Sequence, residues 1–192
     1  MDPRSRLQTH RLGLGTALAQ TQVLQAPAVK LDSPGLTVMT DLAQVKAATT
    51  TAETSLAQAE QIMINQGVRL LFVISRMPSV EGLITSTDLR GDRQMQLVHE
   101  RGVRYDELTV GDVMTPLTRI EAIDYGDMQH ASVANVVVTL QALGRNHLLV
   151  VDERGRRIRG VISRTQVERQ LGIPIAITDV AGNFAEIGQL LS

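Results

Sequence analysis

The chain has no cysteine and no tryptophan, and its aromatic side chains stop at Phe72, Phe184, Tyr105 and Tyr125. Without thiols there are no disulfides and no thiolate metal sites, a composition that fits a reducing compartment. With so few rings the core must be aliphatic. Stacking of bases on aromatic platforms, the usual device for single-stranded nucleic acid, has no material here. An excess of charge of one sign is missing too: the net charge is −1, which provides no global field for DNA or an anionic membrane. No apolar run approaches the roughly 20 residues of a membrane span. Arg4, Arg6 and Arg11 precede LGLGTALA (12–19), but two glycines dilute that stretch and Gln20, Gln22 and Gln25 follow it, so a cytoplasmic protein is expected rather than a secreted one.

What is present is a 43% hydrophobic chain of 192 residues, enough for one ordinary domain or two small ones packed together. An internal repeat sets the organisation. LTVMTDLAQVKA (36–47) is answered by GDVMTPLTRIEA (111–122), QGVRLLFVIS (66–75) by LGRNHLLVVD (143–152), and GLITSTDL (82–89) by GVISRTQV (160–167). The three blocks keep their order. Each unit reads as a short strand (AQVKA or TRIEA), a helix, a β-branched strand (LLFVI or HLLVV), a polar turn, a second strand (EGLIT or RGVIS) and a last helix. The first helices carry Leu56, Ala59, Ile62 and Met63, or Val133, Val137, Leu140 and Leu143, on one face and end at Gly67 or Gly144. The last helices are expected to begin at Thr87–Asp88 and within RTQVERQLG. This β-α-β-β-α order predicts an α/β fold of the α+β type, two halves related by a pseudo-twofold axis and packed through their sheets.

Around the repeats, residues 1–34 read as an arm ending in the loop DSPG, and 90–108 as a charged link with a helical start carrying Met95, Leu97 and Val98. Beyond Gly172 and Pro174, Val180, Phe184, Ile187 and Leu191 form the stripe of an amphipathic C-terminal helix. The expected divisions are therefore 1–34, 35–108, 109–172 and 173–192.

The turn GLITSTD places hydroxyls at a strand end and a carboxylate three residues on. One reading is helix capping by Thr85, Thr87 or Asp88, worth about 1 kcal/mol. The other uses the free N–H groups as an anion cradle, with Asp88 accepting from vicinal hydroxyls as carboxylates do when they bind a ribose. In the second unit Gln166 replaces the acid, and an amide lacks the charge that strengthens such bonds roughly twofold.

The VMT triplets at 38–40 and 113–115, NHLLVVDERG at 146–155 and the G-h-h-[ST]-x-x-D turn at 82–88, in ordered duplication, resemble a tandem pair of CBS domains, the Bateman module, over about residues 36–172. The resemblance implies two clefts, an adenosine-containing ligand (AMP, ADP or ATP, with Mg²⁺ only alongside a nucleotide) and a homodimer. Carried over, it implies one intact cleft in the first half, with Thr85 at the ribose–phosphate region and Asp88 on the ribose hydroxyls. Thr40, Asp41, Leu42 and Ala43 would line the base, Phe72 the wall, and Arg69 and Arg76 would be candidates for phosphate. In the second half the resemblance leaves Ser163 and Arg164 as candidates for phosphate contact, and the site there is expected to be weak, different or empty.

His147 begins a strand where members of that family often carry histidine, either hydrogen-bonded within the fold or contacting phosphate. His10, His99, His130 and His147 show no metal-ligand spacing. The four arginines of DERGRRIRG read as a solvated turn or a patch for a partner. No nucleophile–base pair, no G-x-S-x-G and no P-loop lysine is present; Lys30 and Lys46 are the only lysines. Two functions follow. A stand-alone, non-catalytic module senses an adenine nucleotide and passes its occupancy to a partner protein, or a ligand-free module serves interaction and assembly. Neither calls for nucleic acid or membrane.

Overall fold

A computed structural model describes residues 28–152 and 155–176. The first half contributes β1 (Met39–Asp41), β2 (Thr49–Thr50), α1 (Leu56–Gln66), β3 (Leu70–Arg76), β4 (Ser79–Thr85) and α2 (Arg93–Arg101). The second contributes α3 (Val110–Val113), β5 (Thr115–Pro116), β6 (Ala122–Asp124), α4 (Tyr125–His130), α5 (Val133–Ala142), β7 (His147–Asp152), β8 (Arg157–Ser163) and α6 (Arg164–Leu171).

Local chemistry starts the two long helices in the same way. The Ser55 hydroxyl accepts from Gln58 N while Gln58 Oε1 accepts from Ser55 N, and Ser132 with Asn135 repeats the arrangement. Each such box satisfies two of the backbone donors a helix start leaves open. Gly67, at φ 64, closes α1 in the left-handed region that glycine enters without penalty.

The strands form two four-stranded sheets, ordered β2-β3-β4-β5 and β1-β8-β7-β6. Each sheet takes its last strand from the other half. β1 pairs antiparallel with β8, with Thr40 opposite Val161, and β5 pairs antiparallel with β4, with Thr115 opposite Leu83. The glycines of the duplicated turn serve this exchange. A Cβ at Gly82 would collide with the carbonyl oxygen of Thr115, and one at Gly160 with the Met39 side chain. The two-residue alternation of strands then divides the core. Leu71, Val73 and Ile84 face the first half's helices, Leu148, Val150 and Ile162 the second half's, and Leu70, Phe72, Leu83 and Leu149 meet between the sheets. The expected sheet-to-sheet packing is therefore present.

Several sequence expectations need correction. AQVKA is a turn, because Asp41 Oδ1 accepts from Ala43 N and its carbonyl from Gln44 N and Val45 N; the strand lies further on, at Thr49–Thr50. In TRIEA the chain makes a 3-10 turn at Leu117–Arg119 before β6. Thr87–Asp88 do not begin a helix: the chain turns through Leu89 and Arg90, whose amides bond the carbonyls of Thr85 and Thr87, and α2 starts at Arg93. Met95 is exposed on α2, and Gln94 is the residue it buries. On α5 the buried stripe is Val133, Val136 and Leu140, while Val137 is half-buried and Leu143 exposed. The C-terminal stripe Val180–Leu191 lies outside the described residues.

Residues 28–34 run along the second half. Val29 N donates to Gln170 O, Ala134 N to Leu31 O and Val133 N to Ser33 O. Val38, just beyond, is fully buried in the second half's core.

Candidate functional site

The strand exchange creates two clefts at the boundary of the halves. The first, of about 260 Å³, sets Thr85, Thr87 and Asp88 opposite Thr115, Arg119 and Glu121 of the second half, with Arg145, Asn146 and His147 along one side. Asp88 is held from within its own turn. Its Oδ2 accepts from Thr85 N at 2.7 Å and from Thr85 Oγ1 at 2.8 Å, and that hydroxyl accepts from Asp88 N at 3.3 Å. The buried amide of Gln94 donates to the Asp88 carbonyl. These bonds close a turn and not a helix start, so the helix-capping reading is not realised; the turn consumes one carboxylate oxygen. Oδ1 has no hydrogen-bond partner among the described residues.

A second T-x-x-D in the chain shows what this means. Thr109 N and Oγ1 donate to Asp112 Oδ2 at 2.9 and 3.0 Å, the same box, but there Oδ1 is taken by Arg101. Those bonds hold the Asp112 carboxyl below the usual carboxylate range, the Thr109 amide contributing most. Asp112 is structural on both oxygens. Asp88 keeps one oxygen without a partner among the described residues and lines a cavity.

The second cleft, of about 420 Å³, is the pseudo-twofold mate of the first. Thr40 stands where Thr115 stands, Ser163 where Thr85 does, Gln166 where Asp88 does, and Phe72 where Leu149 does. Gln166 Oε1 accepts from Thr40 Oγ1 at 3.4 Å, and Arg69 Nη1 donates to Thr165 Oγ1 at 3.3 Å.

The residues proposed from sequence therefore divide between two places. Thr85, Asp88 and His147 line the first cleft; Thr40, Leu42, Phe72, Arg69, Ser163 and again His147 line the second. The exchange of β1 is what separates Thr40 and Leu42 from Asp88. Asp41 lines neither cleft. It forms a two-pronged pair with Arg159, Oδ1 to Nε at 2.8 Å and Oδ2 to Nη2 at 2.9 Å, and the guanidinium lies 5.1 Å from the Tyr125 ring centroid. The Arg159 hydrogen bonds, with the Ala43 amide, hold the Asp41 carboxyl below its ordinary range. Ala43 serves that turn through its amide and lines neither cleft. Arg164 points toward the end of the described chain, donating to Ile175 O at 3.2 Å and lying 3.7 Å from Glu168, and Arg76 is exposed at the end of β3.

His147 lines both clefts. Burial pushes its pKa down to about 4; the Asp88 charge opposes that shift and the Arg69 charge adds to it. The imidazole is neutral at pH 7, a hydrogen-bonding group and not a cation. Arg119, Glu121 and Arg145 of the first cleft, and Lys46 and Arg169 of the second, were not singled out from sequence. Arg145 and Arg169 arrive beside His147 and Gln166 of their own half, whereas Arg119, Glu121 and Lys46 reach the clefts only through the cross-half topology, which no local motif announces. No group of three or more His, Asp or Glu among the described residues is placed to hold a metal ion, and no described helix is long and apolar enough to cross a membrane.

The family model described as "CBS domain" matches residues 38–92. That segment is a CBS domain. The two halves together have the fold of a CBS pair. The chain is similar to an uncharacterized conserved protein from Pyrococcus horikoshii, with 22% identity and a TM-score of 0.54 over 72% of this chain and 92% of that one. It is similar to CBSX2 from Arabidopsis thaliana, a structure solved in complex with AMP, with 22% identity and a TM-score of 0.50 over 71% of this chain and 93% of the other. Protein MJ1225 from Methanocaldococcus jannaschii matches with 18% identity and a TM-score of 0.52, over 69% of this chain and 50% of that one. No curated protein matches the sequence.

Proposed function

We propose that this CBS pair is a non-catalytic regulatory module that binds an adenosine-containing ligand, AMP or ATP, in the Asp88 cleft. The observation that carries the reading is Asp88, a cavity-lining residue whose turn fixes one carboxylate oxygen and leaves Oδ1 without a partner among the described residues. A carboxylate in that state accepts from the two neighbouring hydroxyls of a ribose. Arg119 on the opposite wall and Arg145 along one side supply charge for a phosphate, and the apolar wall of Leu83, Ile120 and Leu149 suits a purine. AMP in the CBSX2 structure supports the ligand class.

Both halves line the cleft, so an occupant favours whichever packing of the halves it fits better. That difference in affinity is the whole signal available to a partner protein. The proposal includes a homodimer, whose contact we place on the outer helix faces where Ile64 and Val138 are exposed.

Calorimetric titration with AMP tests the site. Asp88→Asn keeps an oxygen for the Thr85 turn and loses the charge, and is expected to weaken AMP about tenfold, the difference between charged and neutral acceptors. Gln166→Ala is expected to leave AMP binding unchanged. Equal losses in both variants, or no binding by the unaltered chain to any adenosine compound, overturn the reading in favour of a ligand-free assembly module.

A further inference from the structure

The repeat leaves one seat filled in the second half and open in the first. Residues 173–176 cross between α5 and α6. Ile175 N donates to Glu168 Oε1 at 2.9 Å, Arg164 Nη1 to Ile175 O at 3.2 Å, and Gln141 Nε2 to Ala176 O at 3.2 Å. The Ile175 side chain, 3% exposed, completes the second half's core. By the repeat register, the first half carries Ile64 for Gln141, Met63 for Leu140, Ser86 for Arg164 and Arg90 for Glu168. All four line one groove of about 650 Å³. No residue of α2 is among its walls, since the chain turns at Arg90 before that helix starts, and Ile64 is left 64% exposed.

The filled seat shows what such a groove takes: a non-helical stretch of backbone with one branched aliphatic side chain. Polarity is what differs. Glu168 accepts from a backbone N–H, whereas Arg90 can only donate, and Ser86, where Arg164 stands, can donate too. Arg90 has no more than an exposed contact with Glu60 at 3.4 Å. Arg69 adds a second guanidinium, so the walls carry two cations to one acid. The chemistry complementary to these walls is an aliphatic segment with a carboxylate close behind it, which gains charge-assisted hydrogen bonds from Arg90.

We propose that this groove docks a non-helical segment of a partner protein, one that carries a branched aliphatic residue and, beside it, an aspartate or glutamate. It is also where occupancy of the Asp88 cleft is passed on, since Thr87 lines that cleft and the groove alike. The transmission rests on the nucleotide reading; the docking does not. Ile64 stands both at this groove and on the face given to the dimer, and the test separates those two occupants.

The probe is acetyl-Ile-Pro-Ile-Ala-Asp-amide, the sequence of the filled seat with an aspartate added, titrated into the full chain. Methyl spectra of methionine-labelled protein read the site, with the Met63 signal identified by Met63→Leu, the residue at its repeat mate. A saturable shift of Met63 is expected while Met128, in the second half's core, stays unmoved. Arg90→Glu is expected to weaken the probe about fivefold, the scale of an ion pair at an exposed rim, and Glu60→Gln, which frees Arg90, to tighten it. Both side chains are exposed, and an unchanged melting temperature verifies that each variant is folded. Aspartate in place of the probe's second isoleucine is expected to abolish the shift. No saturable shift at Met63, or one indifferent to Arg90→Glu, overturns the docking. Probe affinity that falls as protein concentration rises puts a second copy in the groove and overturns it as well. Saturating AMP is expected to change the probe's affinity severalfold, and an unchanged affinity overturns the transmission. The probe titration needs no nucleotide, so failure of the groove and failure of the AMP site are read separately.

Discussion

At the scale of single residues, the duplicated turn does more than one job, and its glycine and its acid belong to different ones. Gly82 is there for a crossing chain, since the Thr115 carbonyl occupies the space a side chain would need, whereas Gly160 faces a flexible methionine. Gly82→Ala is therefore expected to cost about 1–3 kcal/mol, in the range of overpacked cores, and Gly160→Ala distinctly less, as measured by denaturant unfolding. His147 is the other residue whose setting dictates a measurable property. Its folded pKa of about 4 lies below the ordinary 6.5, so the unfolded chain binds the extra proton first. The stability that neutral His147 confers is complete above pH 6.5 and is lost as pH falls from there toward 4. The loss by the low end of that window is on the order of 3 kcal/mol. His147→Leu, which restores the residue its repeat mate Leu70 supplies, is expected to flatten that acid slope in a series of melting temperatures. A slope unchanged in the variant rules out His147 as its source.

At the scale of elements, the sequence made the long pieces plain and hid the short ones. The β-branched runs at 70–76 and 147–152 and the Ser-x-x-Gln and Ser-x-x-Asn starts of α1 and α5 carry their own signals, in composition and in spacing. β1, β2, β5 and β6 are two or three residues long, too short for alternation to register. AQVKA alternates and is nonetheless a turn, since one aspartate's bonds to the next amides outweigh a weak strand preference. Alternation also says which residues share a face, never which sheet a strand joins. That gap is why Thr40 and Leu42 were assigned to the wrong cleft: Asp88 and Gln166 were legible as a contrasting pair, but the walls opposite them come from segments about thirty or more residues away along the chain.

At the scale of the molecule, exchanging edge strands makes the halves one cooperative body. A chain of residues 35–108 alone would lack β5 and would leave Leu70, Phe72 and Leu83 without the facing Leu149. It is expected to show no cooperative thermal transition by circular dichroism, while the full chain unfolds in a single step. Two separate transitions in the full chain, or a folded 35–108 fragment, contradict this arrangement.

One further connection runs through α6. Its first turn carries Gln166, and near its other end the Gln170 carbonyl accepts from Val29 N and the Gln170 amide donates to Thr37 O at 3.3 Å. A helix of eight residues is about 12 Å long and does not bend over that length. Any tilt imposed where Gln166 sits is therefore delivered, lever-fashion, to the backbone at Val29 and Thr37.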